Sequence, residues 1–193
     1  MSVAVIDIGY GNIGSIARAF EQLGAAVRRT ADPAEIEAAS HVVLPGVGAA
    51  RHAMERLGSL GLADRLRGLN RPMLGICLGM QLLFESSEEG ETPGLGLLPG
   101  TVRRIAPVPG LKVPHMGWSR LALRGDGIGL ADGDYVFFAH SYFCPDGPAT
   151  RAAADHGGVV PAVVERGNIV GVQFHPERSA APGRRFLEAF LDR

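Results

Sequence analysis

A cysteine flanked by glycines at the end of an apolar run constrains the fold of this chain more than any other feature. The segment reads Gly75-Ile76-Cys77-Leu78-Gly79, and an amphipathic stretch follows directly. This pattern is typical of a nucleophile elbow, which is a sharp turn from a strand into a helix. Small residues two places before and after the central residue of the elbow avoid clashes with neighbouring backbone. Such a turn presents its central side chain at the carboxyl end of a strand. We therefore expect Cys77 to be a nucleophile at the carboxyl end of a strand in an α/β sheet.

The first half of the chain alternates apolar segments with helical patterns. We expect strands at Val3–Asp7, Ala26–Thr30, Val42–Pro45 and Pro72–Cys77, and helices at Ile13–Leu23, Pro33–Ala39, within 49–69, and at Leu78–Glu85. Repeated strand–helix units place parallel strands in one sheet with helices on both faces. The pattern therefore predicts the α/β class, with a mixed but mostly parallel central sheet.

The second half is richer in short strands separated by glycine and proline. We expect strands at Gly100–Ile105, Gly133–Phe138, Ala149–Asp155, Val159–Arg166 and Asn168–Phe174, followed by a closing helix at Gly183–Leu191. The acidic segment 85–91 is expected to be a solvated loop. A length of 193 residues suits one domain, so we expect residues 1–193 to form a single domain.

Composition and charge exclude several classes of partner. The net charge is −1 and Lys112 is the only lysine, so nucleic acid is not expected to bind. No apolar run reaches the roughly twenty residues that cross a bilayer, and the N-terminal segment reads as a strand rather than a signal peptide. We expect a cytoplasmic protein without membrane contact, in which Cys77 and Cys144 stay reduced. Metal-ligand spacing is missing, so we expect neither a metal nor a cofactor.

Two residues near the C-terminus complete a catalytic set with Cys77. The chain reads Phe174-His175-Pro176-Glu177 after an apolar strand, and side-chain alternation in an extended segment would direct His175 and Glu177 to the same side. Glu177 can then orient the imidazole while His175 takes the thiol proton, which makes a Cys-His-Glu triad. The alternative is structural: a buried thiol, a core histidine and a surface carboxylate. The elbow glycines favour the catalytic interpretation.

A glycine-rich segment offers a different function. Gly9-Tyr10-Gly11-Asn12-Ile13-Gly14 matches G-x-G-x-x-G between a predicted strand and helix, and Asp32 follows at about the distance of a dinucleotide fingerprint. A non-catalytic nucleotide-binding module is therefore a rival hypothesis. Because no second mononucleotide-binding half follows, we favour a tight turn after the first strand.

Several motifs in order resemble the flavodoxin-like class I (triad) glutamine amidotransferases, and among them the glutaminase subunits of imidazole glycerol phosphate synthase. The similarity covers the whole chain. Its class-level motifs are Gly75 to Gln81 and Phe174 to Glu177. Its subunit-level motifs are Asp7 to Asn12, Leu44 to Gly48, Gln81 to Glu85, His115 to Trp118, and His140 to Phe143. Glutaminase subunits of pyridoxal phosphate or anthranilate synthesis share the triad but should lack the segment His115 to Trp118.

The resemblance implies hydrolysis of L-glutamine to glutamate and ammonia, which passes to a (β/α)₈-barrel cyclase subunit that forms imidazole glycerol phosphate and AICAR. It implies oxyanion donors at the backbone N–H groups of Val47 and Leu78. It implies that glutamine is held by Gly46, Gly48, Gln81, Ser141, Tyr142 and Phe143. It implies that the face meeting the cyclase contains Gly11, Asn12, Trp118 and Arg178.

Three positions depart from the pattern of these subunits. Ser119 stands where asparagine is frequent, Ile8 where tyrosine is frequent, and Arg178 where lysine is usual. Arginine and lysine present different hydrogen-bond donors, so the fine detail of the partner face is open to change. The residues of the triad are unaffected.

Overall fold

A mixed β-sheet with helices on both faces organises the chain. The computed structural model describes residues 1–9 and 11–193, and Tyr10 of the glycine-rich segment lies outside the described residues. The helices are α1 (Ile13–Glu21), α2 (Pro33–Ala38), α3 (Ala50–Ser59), α4 (Leu62–Arg67), α5 (Leu78–Leu82) and α6 (Ala180–Leu191). The strands are β1 (Ser2–Ile6), β2 (Ala26–Thr30), β3 (His41–Gly46), β4 (Met73–Cys77), β5 (Phe84–Ser87), β6 (Thr92–Pro93), β7 (Leu98–Arg104), β8 (His115–Leu123), β9 (Tyr135–His140), β10 (Tyr142–Phe143), β11 (Thr150–Asp155), β12 (Val159–Arg166) and β13 (Ile169–Val172).

The main sheet changes from parallel to antiparallel at β13. Its strand order is β2-β1-β3-β4-β13-β12-β11-β8-β9. The strands from β2 to β13 are parallel, whereas those from β13 to β9 pair antiparallel. Val172 of β13 stands opposite Ile76 of β4 on one side and Val163 of β12 on the other. The nucleophile strand β4 therefore lies beside the boundary between the two halves.

Apolar side chains cover both faces of this sheet. On one face, Ile16 and Phe20 of α1 pack with Phe186 and Phe190 of α6. On the other face, α2 to α5 contribute a second cluster that includes Ile36, Leu57, Leu66 and Met80. Burial of apolar surface on both sides is the main stabilising contribution to such a fold. The predicted α/β class, with helices on both faces and a β-rich C-terminal half, is confirmed.

A second, smaller sheet was not predicted as such. Its order is β10-β7-β5-β6. The helix expected at Leu78–Glu85 ends at Leu82, because Phe84 begins β5 and pairs with Leu98 of β7. The expectation of a loop over 85–91 is accordingly wrong for its first residues, which belong to β5.

The strand β8 was missed from the sequence for a physical reason. Its residues alternate strictly in exposure, but the inward side contains His115 and Ser119 rather than a run of apolar residues. Its outward side contains Met116 and Trp118, which are exposed. The usual alternation of polar outside and apolar inside is therefore inverted in the first part of the strand, which is recognised from its pairing with β9.

Candidate active site

Close backbone packing holds Cys77 in an unusual conformation at the junction of β4 and α5. Its φ is 55° and its ψ is −111°, which a non-glycine residue adopts only where the surroundings impose it. A Cβ atom added to Gly75 would lie 2.7 Å from the Gly79 carbonyl oxygen, and one added to Gly79 would lie 1.8 Å from the Leu44 carbonyl oxygen. Neither site has room for a side chain. The predicted elbow is confirmed in its geometry.

Gly46, at the end of β3, is part of the same packing. A Cβ atom on this residue would lie 2.7 Å from the Gly79 backbone nitrogen and 2.8 Å from the Leu78 Cβ. Gly46 therefore lies beneath the elbow and lets β3 approach α5, while the next two residues continue to the surface. Gly48 has a φ of +85°, which favours glycine.

His175 and Glu177 form the expected pair, but the local conformation differs from the prediction. The His175 Nδ1 and Glu177 Oε1 atoms are 3.1 Å apart. The segment Pro176–Arg178 is a single 3₁₀ turn, so the expectation of an extended segment is wrong. Proline at the start of the turn favours this conformation because its φ is fixed near the helical value. The turn brings the two side chains together as alternation along a strand would have done.

Backbone contacts fix the position of the histidine. The His175 N–H donates to the Phe137 carbonyl at 2.9 Å, and the Ser179 hydroxyl donates to the His175 carbonyl at 2.7 Å. The Glu177 side chain is 1% exposed. Among the described residues, its second oxygen finds no hydrogen-bond donor, so the carboxylate is held by its bond to the imidazole.

The electrostatics of His175 favour the imidazolium form. Burial of the ring lowers its pKa, but hydrogen bonds to Cys77 and Glu177 and the charges of both residues outweigh burial and raise the pKa to about 10. Hydrogen bonding to a charged form favours that form. A protonated His175 beside Cys77 stabilises a thiolate, which is the nucleophilic form of cysteine.

A chain of amide side chains connects the thiol to the neighbouring wall. The Gln173 Nε2 lies 3.8 Å from the Cys77 Sγ, and the Gln173 Oε1 accepts from the Gln81 Nε2 at 3.0 Å. The Gln81 Nε2 also donates to the Tyr142 carbonyl at 2.8 Å. The Gln81 side chain is buried, and its amide nitrogen donates both of these hydrogen bonds. Gln173 had no signal in the sequence beyond its place on the strand that leads to His175.

A cavity of about 440 Å³ opens above Cys77, and we call it the elbow cavity. Its volume lies in the usual range for small-molecule sites. The predicted site residues that line it are Asn12, Val47, Gly48, Cys77, Leu78, Gln81, Ser141, Tyr142, His175 and Arg178. The structure thus brings most of the predicted residues to one place.

Besides Gly46 and Glu177, whose contacts are given above, three predicted residues do not line the cavity. Phe143 lies in a separate depression beside Arg103 and His156, because β10 pairs with β7 and turns this side chain away from the elbow cavity. Gly11 lies at the rim, where an added Cβ would come within 3.7 Å of the Val47 side chain. Trp118 is 52% exposed on the outer side of β8.

Glu89 lines the elbow cavity and was not predicted. Its Oε2 accepts from the Ala50 N–H at the start of α3 at 2.8 Å, and its own N–H donates to the Ser87 hydroxyl at 3.1 Å. These contacts fold the acidic segment back over the site. Nothing in the sequence distinguishes Glu89 from Glu85, Glu88 or Glu91, so its position follows only from the fold.

Metal-binding clusters and membrane-spanning helices are both missing from the described part of the chain. No group of histidine, cysteine, aspartate and glutamate there has the geometry to hold a metal ion. Within the same residues, no helix combines the length and apolar character that spanning a bilayer requires.

Comparison with known proteins defines the class. Residues 4–193 match the sequence profile of the family described as glutamine amidotransferase class-I, and the chain belongs to this family. At the level of individual proteins, it is 51% identical to the imidazole glycerol phosphate synthase subunit HisH of Xylella fastidiosa (strain Temecula1), over 98% of this chain and 96% of the relative. It is 50% identical to the protein of the same name from Xanthomonas axonopodis pv. citri, with the same coverage.

Solved structures confirm the fold. A crystal structure described as a glutamine amidotransferase aligns with a TM-score of 0.78 and 20% identity, over 98% of this chain and 97% of that one. A glutamine amidotransferase from Thermotoga maritima aligns with a TM-score of 0.63 and 22% identity, over 100% of this chain and 83% of that one. At these sequence identities, the structural similarity shows the fold alone.

Proposed function

We propose that this chain is the glutaminase subunit of an imidazole glycerol phosphate synthase and hydrolyses L-glutamine to glutamate and ammonia. The observation that carries the proposal is the convergence of Cys77, His175 and Glu177 at one elbow cavity. The relatives named as subunits of that synthase, at about half identity over nearly the full length, supply the particular reaction. We further propose that residues 1–193 act as one glutamine amidotransferase domain in the cytoplasm.

The chemistry divides between the three triad residues. The Cys77 thiolate attacks the side-chain amide carbon of glutamine, and a tetrahedral intermediate forms. His175 is protonated at neutral pH because its pKa is raised to about 10. It gives this proton to the departing nitrogen, so that ammonia leaves and a thioester remains. His175 then takes a proton from water, which attacks the thioester and releases glutamate. Glu177 holds the imidazole in orientation throughout.

Backbone donors at the elbow stabilise the intermediate. The N–H of Leu78 stands at the start of α5, where the helix dipole also favours a negative charge. The N–H of Val47, in the segment after β3, is the second proposed donor. One such donor contributes about two to three orders of magnitude in rate, so the orientation of the Val47 peptide decides how active the site is.

The walls of the elbow cavity offer groups for the two charged ends of glutamine. The Glu89 carboxylate is suited to the α-amino group, because opposite charges attract strongly in a partly desolvated site. Gln81, Ser141 and Tyr142 also line the cavity and are suited to orient the side-chain amide and the carboxylate. Gly46 supports the elbow from below.

The partner proposed for this chain is a (β/α)₈-barrel cyclase subunit, which receives the ammonia. The exposed side chains of Val47 and Met116 line the elbow cavity, and Trp118 is exposed on the same side of β8 as Met116. Exposed apolar side chains so close to one another suit a protein interface. Arg178 lies over the Phe137 ring with 4.0 Å between the guanidinium carbon and the ring centroid. Gly11, Asn12, Trp118 and Arg178 are therefore proposed to contact the cyclase.

One experiment tests this function. The purified chain is mixed with the cyclase partner of the Xylella relative and its nucleotide substrate, and release of labelled glutamate from labelled glutamine is followed. We expect hydrolysis that depends on both proteins and formation of imidazole glycerol phosphate. Hydrolysis of glutamine without any product from the cyclase would assign the chain to another glutaminase system, and dinucleotide binding without hydrolysis would favour the nucleotide-binding module.

A further inference from the structure

Three polar side chains form a continuous hydrogen-bonded row that begins outside the elbow cavity and reaches its lining at His140. The Ser119 Oγ lies 2.8 Å from the His115 Nε2, and the His115 Nδ1 lies 2.9 Å from the His140 Nε2. The row ends where the His140 Nδ1 lies 2.8 Å from the Tyr142 carbonyl oxygen. Ser119 and His115 are on the inward side of β8, and His140 ends the paired strand β9. The row therefore connects an outer strand of the sheet to the wall of the cavity.

The direction of every bond in this row follows from its last member. A carbonyl oxygen only accepts, so the His140 Nδ1 must donate to Tyr142. The Nε2 of a neutral His140 is then an acceptor, which requires the His115 Nδ1 to donate. The Nε2 of a neutral His115 is in turn an acceptor, which requires the Ser119 hydroxyl to donate. Both imidazoles are thereby fixed as Nδ1–H tautomers.

Burial keeps both rings neutral, which the directed row requires. His115 and His140 are 3% and 6% exposed. Burial, together with the charges of neighbouring histidines, lowers the pKa of His115 to about 3 and that of His140 to about 4. In a cationic His140 both nitrogens would donate, which would reverse the bond between His140 and His115.

The Tyr142 carbonyl is a shared acceptor between this row and the catalytic network. It accepts from the His140 Nδ1 and from the Gln81 Nε2, both at 2.8 Å. Two donors on one carbonyl fix the orientation of that peptide group, and Ser141 and Tyr142 line the elbow cavity. The position of this wall thus depends on a row of bonds that begins outside the cavity.

We infer that Ser119, through His115 and His140, is a positioning residue for glutamine binding: its hydroxyl is the donor at the start of the row of hydrogen bonds that holds the Ser141–Tyr142 wall. The inference rests on the proposed function of the elbow cavity as the glutamine site. Ser119 itself lies outside the residues that line the cavity and acts only through its neighbours. Because the hydroxyl must donate, threonine can replace serine at this position, whereas alanine cannot.

The kinetic test compares Ser119→Ala, Ser119→Thr and a matched control in the complex with the cyclase. We expect Ser119→Ala to raise the KM for glutamine about two- to tenfold, the range that one hydrogen bond provides, and to leave kcat within about twofold. Ser119→Thr should restore the native KM. Ser59→Ala removes a hydroxyl bond to the Arg56 carbonyl on an exposed helix and should change neither constant.

A spectroscopic readout tests the row without any turnover. Nitrogen-15 long-range correlation spectra of the native chain at neutral pH should show His115 and His140 as neutral Nδ1–H tautomers. An Nε2–H tautomer at either ring, or an unchanged KM in Ser119→Ala with an active native complex, would contradict the inference alone. A native complex that does not hydrolyse glutamine would contradict the proposed function, and the positioning role with it.

Discussion

The two walls of the elbow cavity are held by different forces. The nucleophile wall, around Cys77, is fixed by backbone atoms in contact at three glycines, Gly46, Gly75 and Gly79. The opposite wall, at Ser141 and Tyr142, is fixed by side-chain hydrogen bonds from His140 and Gln81. The first wall lies in the parallel half of the sheet, and the second follows the antiparallel strand β9.

This difference between the two walls predicts where the site tolerates amino-acid substitutions. Contacts between backbone atoms leave no room for adjustment, so a single added methyl group must displace a strand. Hydrogen-bonded side chains can rearrange or bind water instead, so losing one hydrogen bond there lowers the affinity for glutamine only in part. We therefore expect substitutions at the nucleophile wall to abolish the site and substitutions at the opposite wall to weaken binding.

The largest effect is expected from Cys77→Ala. Loss of a nucleophile removes the covalent route, and we expect glutaminase activity to fall by about 10⁴-fold or more. The change is small and the thiol makes only long contacts, so the circular dichroism spectrum and the unfolding midpoint should stay close to native. Activity within tenfold of native would exclude Cys77 as the nucleophile.

Substitutions of His175 and of Glu177 should have different effects on activity, because His175 transfers protons and Glu177 only orients it. His175→Asn should be nearly as damaging as Cys77→Ala, whereas Glu177→Gln should retain roughly 100-fold more activity than His175→Asn. The comparison is made by initial rates at saturating glutamine in the complex. Near-native rates in both variants would show that the pair, although 3.1 Å apart, takes no part in the reaction.

Gly79→Ala tests the rigidity of the nucleophile wall against a matched glycine. Its new Cβ would lie 1.8 Å from the Leu44 carbonyl oxygen, so β3 must move away from α5, at a cost of about 1–3 kcal/mol or more in the free energy of unfolding. Gly58→Ala is the control, since Gly58 is also helical but meets no atom within 4 Å. That variant should be more stable by about 0.5–1 kcal/mol. Urea unfolding measures both, and equal stabilities would contradict the packing argument.

The smallest effect is a change in the pKa of His175. Cys77 and Glu177 raise this pKa to about 10 against the lowering effect of burial. In Cys77→Ala the contribution of the thiol is lost while burial remains, so His175 should release its proton at a lower pH than in the native chain. A nuclear magnetic resonance titration of the imidazole measures the shift. An unchanged or higher pKa in the variant would contradict the assigned cause.

Much of the nucleophile wall could be predicted from the sequence because its determinants are local. The strand, the turn and the glycines that permit it lie within seven consecutive residues, from Met73 to Gly79. The parallel strands were predicted to within one or two residues for the same reason, since β1, β3, β4 and β13 are short, buried and largely apolar segments. Cys77, His175 and Glu177 followed from residue type and spacing.

The opposite wall could not be predicted to the same depth because its determinants are distant in sequence. Strand β8 places polar residues inward, so its pattern gave no signal, and the row from Ser119 to Tyr142 exists only once β8 pairs with β9. Glu89 reaches the cavity through a bond to the start of α3, thirty-nine residues earlier. The turn at Pro176–Arg178 replaced an extended segment without changing which side chains meet.

The most direct test of the central claim is covalent labelling by a glutamine-like electrophile, diazo-oxo-norleucine, followed by mass spectrometry. Cys144 is an internal control: it is fully buried, and burial raises the pKa of its thiol well above the usual value, so it should not react. The account predicts one label per chain, on Cys77, with loss of glutaminase activity in proportion to labelling. Label found mainly on Cys144, or full activity after complete labelling of Cys77, would contradict it.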